Sequence, residues 1–258
     1  MKRLFLVFVA IMLIPLVSAC ANKEAASGDG EKLVIGIDDA FPPMGFRDEN
    51  NEIVGFDIDL AKAVSEKMGV ESVFQPIDWS TKEAELNSGR IDLIWNGYTI
   101  TPEREEKVLF TKPYLANAQV IATLIDSDIQ SLEDLEGKNI GIQAQSSALD
   151  AFNASPIKDI VGSVTEFKDN VLALTDLKAG RIDAVVIDEV VINYLMTQEE
   201  GTYRVLAETL APEKYGVGVK KGNEEVLVRL QKAIDEAIAD GTAAEISIKW
   251  FGEDKILK

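Results

Sequence analysis

Histidine is absent from all 258 residues. Without imidazole there is no Ser-His-Asp relay, no histidine general base and no histidine-containing metal site. Cysteine is nearly absent too: Cys20 stands alone, so the chain forms no internal disulfide. Basic residues are the third shortage, with 26 Lys and Arg against 44 Asp and Glu and a net charge of −18. So acidic a surface repels nucleic acid and anionic lipid and offers no counterion release. Solubility is its plain consequence. Apolar runs of any length are confined to the first twenty residues, and no later stretch approaches a membrane span.

That first stretch, MKRLFLVFVAIMLIPLVSAC, has two basic residues, an apolar run from Leu4 to Val17, and then small residues. The order predicts a secretory signal peptide over 1–20. Its end, Val-Ser-Ala-Cys, resembles the lipobox of bacterial lipoproteins, in which Cys20 would be lipidated and become the mature N-terminus. The alternative is an uncleaved anchor with an incidental cysteine. ANKEAASGDGE, 21–31, is small and polar without apolar period and predicts a flexible tether. Loss of Lys2 and Arg3 with the leader would take the net charge to about −20.

From Lys32 onward, strand-like and helix-like periods alternate. LVIGI, FDIDLAKAVSEKMG, VESVFQPI, STKEAELNSG and RIDLIW read as β-α-β-α-β, which implies a parallel sheet. The pattern restarts with NIGIQ, SSALDAFNAS, SVTEF, NVLALTDLKAG and RIDAVVID. LNSGRIDLIWNG therefore returns as LKAGRIDAVVIDE because each is the helix-glycine-strand unit of one lobe. Gly89 and Gly180 suit the left-handed position that closes a helix. After Tyr215 a strand and two helices follow, which suit completion of the first lobe. The expected division is lobe 1 over 32–116, lobe 2 over 117–216 and a return segment over 217–258. Two crossings, near Leu115 to Val120 and Ala211 to Val217, would form the hinge.

In open parallel sheets, ligands gather beyond the carboxyl ends of strands. The residues there are Asp38 and Phe41 after the first strand, and Gly97, Tyr98 and Thr99 after RIDLIW. In the second half they are Gln143, Ser146 and Ser147 around the end of NIGIQ, and Asp188 after RIDAVVI. Thr-Pro-Glu-Arg reads as a helix start with Thr101 as N-cap. A cation in a first turn is mildly disfavoured by the helix dipole, so Arg104 either serves an anion or pairs with Glu105 or Glu106. Ser146 and Ser147 open a helix, as caps or as an anion site. Asp38 and Asp188 are either solvated loop residues or face the cleft. An arginine opposite a carboxylate frames a zwitterion, and Phe41, Trp79 and Tyr98 could wall its side chain.

GFDIDLAKAV, SGRID, TITPEREEKVLFTKPY, LKAGRIDAVVIDE, YGVGVKKGN and DGT…KWFG together resemble the solute-binding proteins of polar amino-acid ABC transporters, family 3, over roughly 32–252. The resemblance implies an α/β, type II periplasmic-binding-protein fold: two similar lobes with mostly parallel sheets on a two-crossing hinge. It implies that Arg104 holds an α-carboxylate with Thr99 and Ser147, that Asp188 and the Gly97 carbonyl hold the α-ammonium, and that Phe41 and Trp79 pack the side chain. Expected partners are a free amino acid (polar, basic or cystine-like), ABC permease subunits and a membrane reached through a lipid anchor. Nucleic acid, metal and cofactor are not expected, and a monomer outside the cytoplasm is. Where the family usually has glycine, this chain has Gln145, which bears on the carboxylate site. The competing class is an exported enzyme on the same fold, a dehydratase or lytic transglycosylase using a cleft carboxylate, with Glu83, Glu85 and Glu189 as candidates.

Overall fold

The computed structural model describes residues 31–258. The leader, Cys20 and all but the last residue of the tether lie outside the described residues. The first part of the chain forms β1 (Lys32–Ile37), β2 (Ala40–Phe41), β3 (Gly45–Arg47), β4 (Ile53–Val54), α1 (Phe56–Met68), β5 (Glu71–Pro76), α2 (Lys82–Ser88), β6 (Leu93–Ile94), α3 (Pro102–Glu105) and β7 (Val108–Phe110). The second forms β8 (Leu115–Leu124), β9 (Asn139–Gln143), α4 (Ser147–Ala154), β10 (Ser163–Phe167), α5 (Asn170–Lys178), β11 (Ala184–Asp188), α6 (Glu189–Gln198), β12 (Tyr203–Val205) and β13 (Ala211–Tyr215). The last holds β14 (Gly218–Lys220), α7 (Glu224–Ala239) and α8 (Thr242–Phe251).

Two sheets of like design result. One runs β5-β1-β6-β14-β7, the other β10-β9-β11-β8-β12, with β13 on β8. In each, three parallel strands are followed by antiparallel partners. β14 enters the first sheet between β6 and β7, and α7 and α8 pack on α1. The return segment thus completes the first lobe. RIDLIW was expected to be a full strand, but only Leu93 and Ile94 pair, because the chain turns inward at once to bury Trp95 and Asn96.

The repeated motif does the same work twice. Gly89 and Gly180, at φ 77° and 67°, end α2 and α5. The aspartate of each Arg-Ile-Asp step then bonds the first strand of its own lobe. Asp92 accepts from the Val34 amide at 2.8 Å, and Asp183 from the Asn139 amide at 2.7 Å. Each isoleucine fills the space over a glycine in that strand. A Cβ on Gly36 would collide with Ile91 Cδ1, and one on Gly141 with Ile182 Cδ1. Alternation along the strands splits the core between two faces: Leu33, Ile35 and Ile37 face one way, while Ile94 joins Trp79, Leu86 and Tyr98 on the other.

The chain crosses between lobes twice, from β7 into β8 and from β13 into β14. β8 and β13 pair antiparallel from Leu115↔Tyr215 to Ala211↔Gln119. Among the described residues no helix is long and apolar enough to cross a membrane.

Candidate functional site

A cleft of about 10 Å³ lies nearly closed between the lobes, well below the ~300–1,000 Å³ usual for open small-molecule sites. A wider groove of about 670 Å³ runs along the outer side of the hinge, yet it holds no buried arginine or aspartate. The small cleft does. From the first lobe it is lined by Asp38, Phe41, Trp79, Asn96, Gly97 and Arg104; from the second, by Gln143, Ser146, Ser147 and Asp188. These follow β1 and β6, and β9 and β11, at the strand ends where two facing sheets converge.

Arg104 is 5% exposed. Thr101 caps its helix by accepting from the Arg104 amide at 3.2 Å, and the Arg104 side chain is buried. One nitrogen donates to the Thr99 carbonyl at 3.1 Å, and the group stacks 4.8 Å over the Tyr98 ring. No carboxylate among the described residues stands in ion-pair range of it. A buried cation with one neutral acceptor is short of partners.

Asp188, across the cleft, is also 5% exposed. Its Oδ1 accepts from Asn117 at 2.7 Å, Gln119 at 2.9 Å and the Tyr215 hydroxyl at 2.6 Å, while Oδ2 has no bond among the described residues. Burial and the neighbouring Glu213 carboxylate push its pKa up to about 7. Asp38 sits at the far end, accepting from Gln143 Nε2 at 2.7 Å and the Ala40 amide at 3.0 Å. Burial raises it to about 6.

Two expected residues stand behind the cleft instead of on it. Tyr98 is wholly buried, its hydroxyl donating to Glu83 at 2.9 Å and its face carrying Arg104. The side chain of Thr99 meets Ser147 Oγ at 3.0 Å and Glu213 at 3.1 Å. Ser146 is the N-cap of α4, accepting from the Leu149 amide at 3.2 Å, and Ser147 is the first helical residue. Of the candidate acids, Glu83 is bound to Tyr98, Glu85 pairs with Arg90 at 2.7 Å, and Glu189 is exposed. None of the three lines the cleft.

A model of the bacterial extracellular solute-binding proteins, family 3, matches residues 33–253. The chain belongs to that family. A histidine-bound substrate-binding protein of an ABC uptake transporter from Streptococcus pneumoniae is 43% identical, with a TM-score of 0.85 over 88% of this chain and 95% of the other. The L-cystine-binding protein TcyJ of Escherichia coli K12 is 30% identical over 226 residues, covering 86% of this chain and 83% of its own. The arginine-binding extracellular protein ArtP of Bacillus subtilis is 30% identical over 258 residues, covering 99% and 100%. The two lobes are those of the type II periplasmic binding proteins.

Gln145, expected to bear on the carboxylate site, stands at the turn into α4. It sits at φ 55°, in the left-handed region that suits glycine, and its carbonyl accepts from Lys82 Nζ at 2.9 Å across the lobe boundary. Lys82 was not singled out in the sequence. It is 2% exposed, bonds the Trp79 carbonyl at 3.1 Å, and lies 5.1 Å over the Trp79 ring. Burial and the nearby Arg104 lower its pKa to about 8. Because a side chain at this φ is strained, Gln145→Gly should stabilise the free protein by about 1 kcal/mol, read as a higher melting temperature. A lower one would show that the glutamine side chain itself holds the loop.

Sequence reasoning also missed Asp57. It is fully buried and accepts from the Gly97 amide at 2.7 Å and the Tyr114 hydroxyl at 3.0 Å. Gly97, at φ 58°, has no room for a Cβ, which would strike Phe41. Asp57 therefore pins the loop that presents Gly97. Asn96 lines the cleft as well, and its buried amide makes no hydrogen bond among the described residues.

Proposed function

We propose that this protein captures one free α-amino acid between its lobes and delivers it to the membrane subunits of an ABC importer. The observation that carries this is the facing pair: Arg104 on one lobe without a carboxylate, Asp188 on the other with one oxygen unbonded. An α-carboxylate and an α-ammonium supply what each lacks, in a site dry enough for charge-assisted bonds to be strong. Thr99 would act through its carbonyl on Arg104 and its hydroxyl on Ser147. At the other end, Asp38 and Gln143 suit a side chain with hydrogen-bond donors or a positive charge, with Phe41 and Trp79 as walls. Polar and basic amino acids and cystine fit that description, and the names of the relatives span the same range.

A thermal-shift screen over the twenty amino acids and cystine tests this. Binding to the folded state adds about 2.7 kcal/mol at a hundredfold excess over Kd, which a melting curve resolves. If none of the compounds moves the melting temperature, the proposal fails.

For the N-terminus we infer a lipoprotein: export by the leader, lipidation at Cys20, and a monomeric body held at the outer face of the cell membrane. The Cys20 thiol would be the lipid's attachment point, so its loss should free the protein. Cys20→Ser should shift it to the soluble extracytoplasmic fraction and abolish fatty-acid labelling. Membrane association unchanged in that variant would rule out the lipid anchor.

A further inference from the structure

Asp188 has a second acid beside it. β11 and β13 flank β8 on its two sides, and the registers set Asp188 against Gln119 and Glu213 against Asn117. Asn117 Nδ2 donates to Asp188 at 2.7 Å and to Glu213 at 3.1 Å, and Gln119 Nε2 to Asp188 at 2.9 Å and to Glu213 at 3.0 Å. Two amides thus tie two carboxylates together. Tyr215 completes Asp188, and Thr99 Oγ1, from the first lobe, completes Glu213.

All of these donors are neutral. Around the pair, Tyr215 is the other titratable group in contact, Glu189 beside Asp188 points to solvent, and Arg104 is the cation on the opposite wall. Two acids that share donors with no cation between them do not ionise independently: one holds a proton until a cation arrives. Glu213 is half-buried and also lines the open groove along the hinge, so the proton has a way to water.

We propose that Asp188 and Glu213 share one proton in the free protein and release it to solvent when an α-ammonium docks on Asp188 Oδ2, with Glu213 as the positioning residue that sets this exchange. The inference rests on the amino-acid reading above. Burial and the Glu213 charge, which raise the Asp188 pKa, support it. The α-ammonium keeps its own proton, and the pair ends as two carboxylates facing one cation. Affinity should then fall as pH drops below the upper step of the pair.

The test has two arms. In the first, carboxyl ¹³C NMR follows the free protein through a pH titration, with Asp188→Asn and Glu213→Gln to assign the signals. Two linked steps are expected, the upper above about pH 6, and each single variant should collapse them to one. Both carboxyls titrating below about pH 5 would overturn the proposal.

In the second arm, L-arginine is titrated calorimetrically at about pH 6.5 in phosphate and in Tris, whose ionisation heats differ. The wild type should release about half a proton or more per arginine bound, Glu213→Gln clearly less, and Glu213→Asp should restore release. Weaker binding by Glu213→Gln with unchanged proton release would reduce Glu213 to a structural strut and overturn the proposal. Should Glu213→Gln fail to fold, the wild type and Glu213→Asp still decide by their proton counts. Should arginine give no heat in the wild type, the amino-acid reading is judged by the thermal-shift screen and the proton-sharing pair by the first arm.

Discussion

Arg104→Ala should lower affinity for an α-amino acid by roughly 30- to several-thousand-fold, the equivalent of about 2–5 kcal/mol lost when one partner of a desolvated charge pair is removed. The size follows from burial. Arg104 is 5% exposed, has a single neutral acceptor in Thr99, and stacks on Tyr98. Its planar fork is set in place before any carboxylate arrives, so little ordering cost is added on binding. Asp188→Asn should act with similar size from the ammonium side. The fold should tolerate Arg104→Ala, since truncating a cation with no anionic partner removes a burial cost along with its one hydrogen bond. Ligand analogues separate the two roles. An amino-acid amide, which lacks the carboxylate, should lose much less against Arg104→Ala than against wild type, and an N-acetyl amino acid should behave likewise with Asp188→Asn. Calorimetry decides: if both variants bind the intact amino acid within about threefold of wild type, these residues do not hold its two ends.

The twin architecture was legible because it is written in local signals. Each Gly-Arg-Ile-Asp step is a helix end, a buried apolar residue and an aspartate that caps the neighbouring strand, all within a few positions. Strand-end logic led to Asp38, Phe41, Gly97, Gln143, Ser146, Ser147 and Asp188, the helix start to Arg104 and the aromatic wall to Trp79; Asn96, past the same strand as Gly97, was not carried into the site. What stayed hidden depends on contacts between segments distant in sequence. Asp57 meets Gly97 forty residues on, and Lys82 meets Gln145 across the lobe boundary. Glu213 acquires its partners through the pairing of β13 with β8, about a hundred residues apart. One trace was available: LANAQVIATL carries Asn117 and Gln119 two apart in an otherwise apolar strand. That spacing puts both amides on one face, where a buried pair of that kind must have partners. Lys82 left no such trace, since a lysine in a short acidic helix looks solvated until a second lobe covers it.

Stability of the free protein should fall as pH rises from about 4 to about 7, in contrast to the acid lability common among folded proteins. The cause is burial of carboxyl groups in the folded state. Asp57 and Asp188 are raised to about 7 and Asp38 to about 6. In the unfolded chain the same groups ionise near ~3.9. Between those values the folded state binds more protons, so their stabilisation is whole below the unfolded pKa and is lost as pH climbs through the folded ones. For Asp57 alone, the rise from 3.8 to about 7, at about 1.4 kcal/mol per pH unit, is worth roughly 4 kcal/mol. Against a usual total of about 5–15 kcal/mol that is a large share. Exposed acids act the other way but at lower pH. Asp240, bonded to Lys67 and Thr242, is held at about 2, so its contribution is lost only in stronger acid. Stability should therefore peak near pH 4 to 5, and urea denaturation at about pH 4.5, 6 and 7.5 should give successively lower midpoints. Asp57→Asn keeps an oxygen for the Gly97 amide and the Tyr114 hydroxyl but cannot ionise, so it should flatten the decline. A wild-type midpoint that holds steady or rises over that range would mean these carboxylates are ionised in the fold. In that case the Gly97 amide and the Tyr114 hydroxyl suffice to keep Asp57 charged.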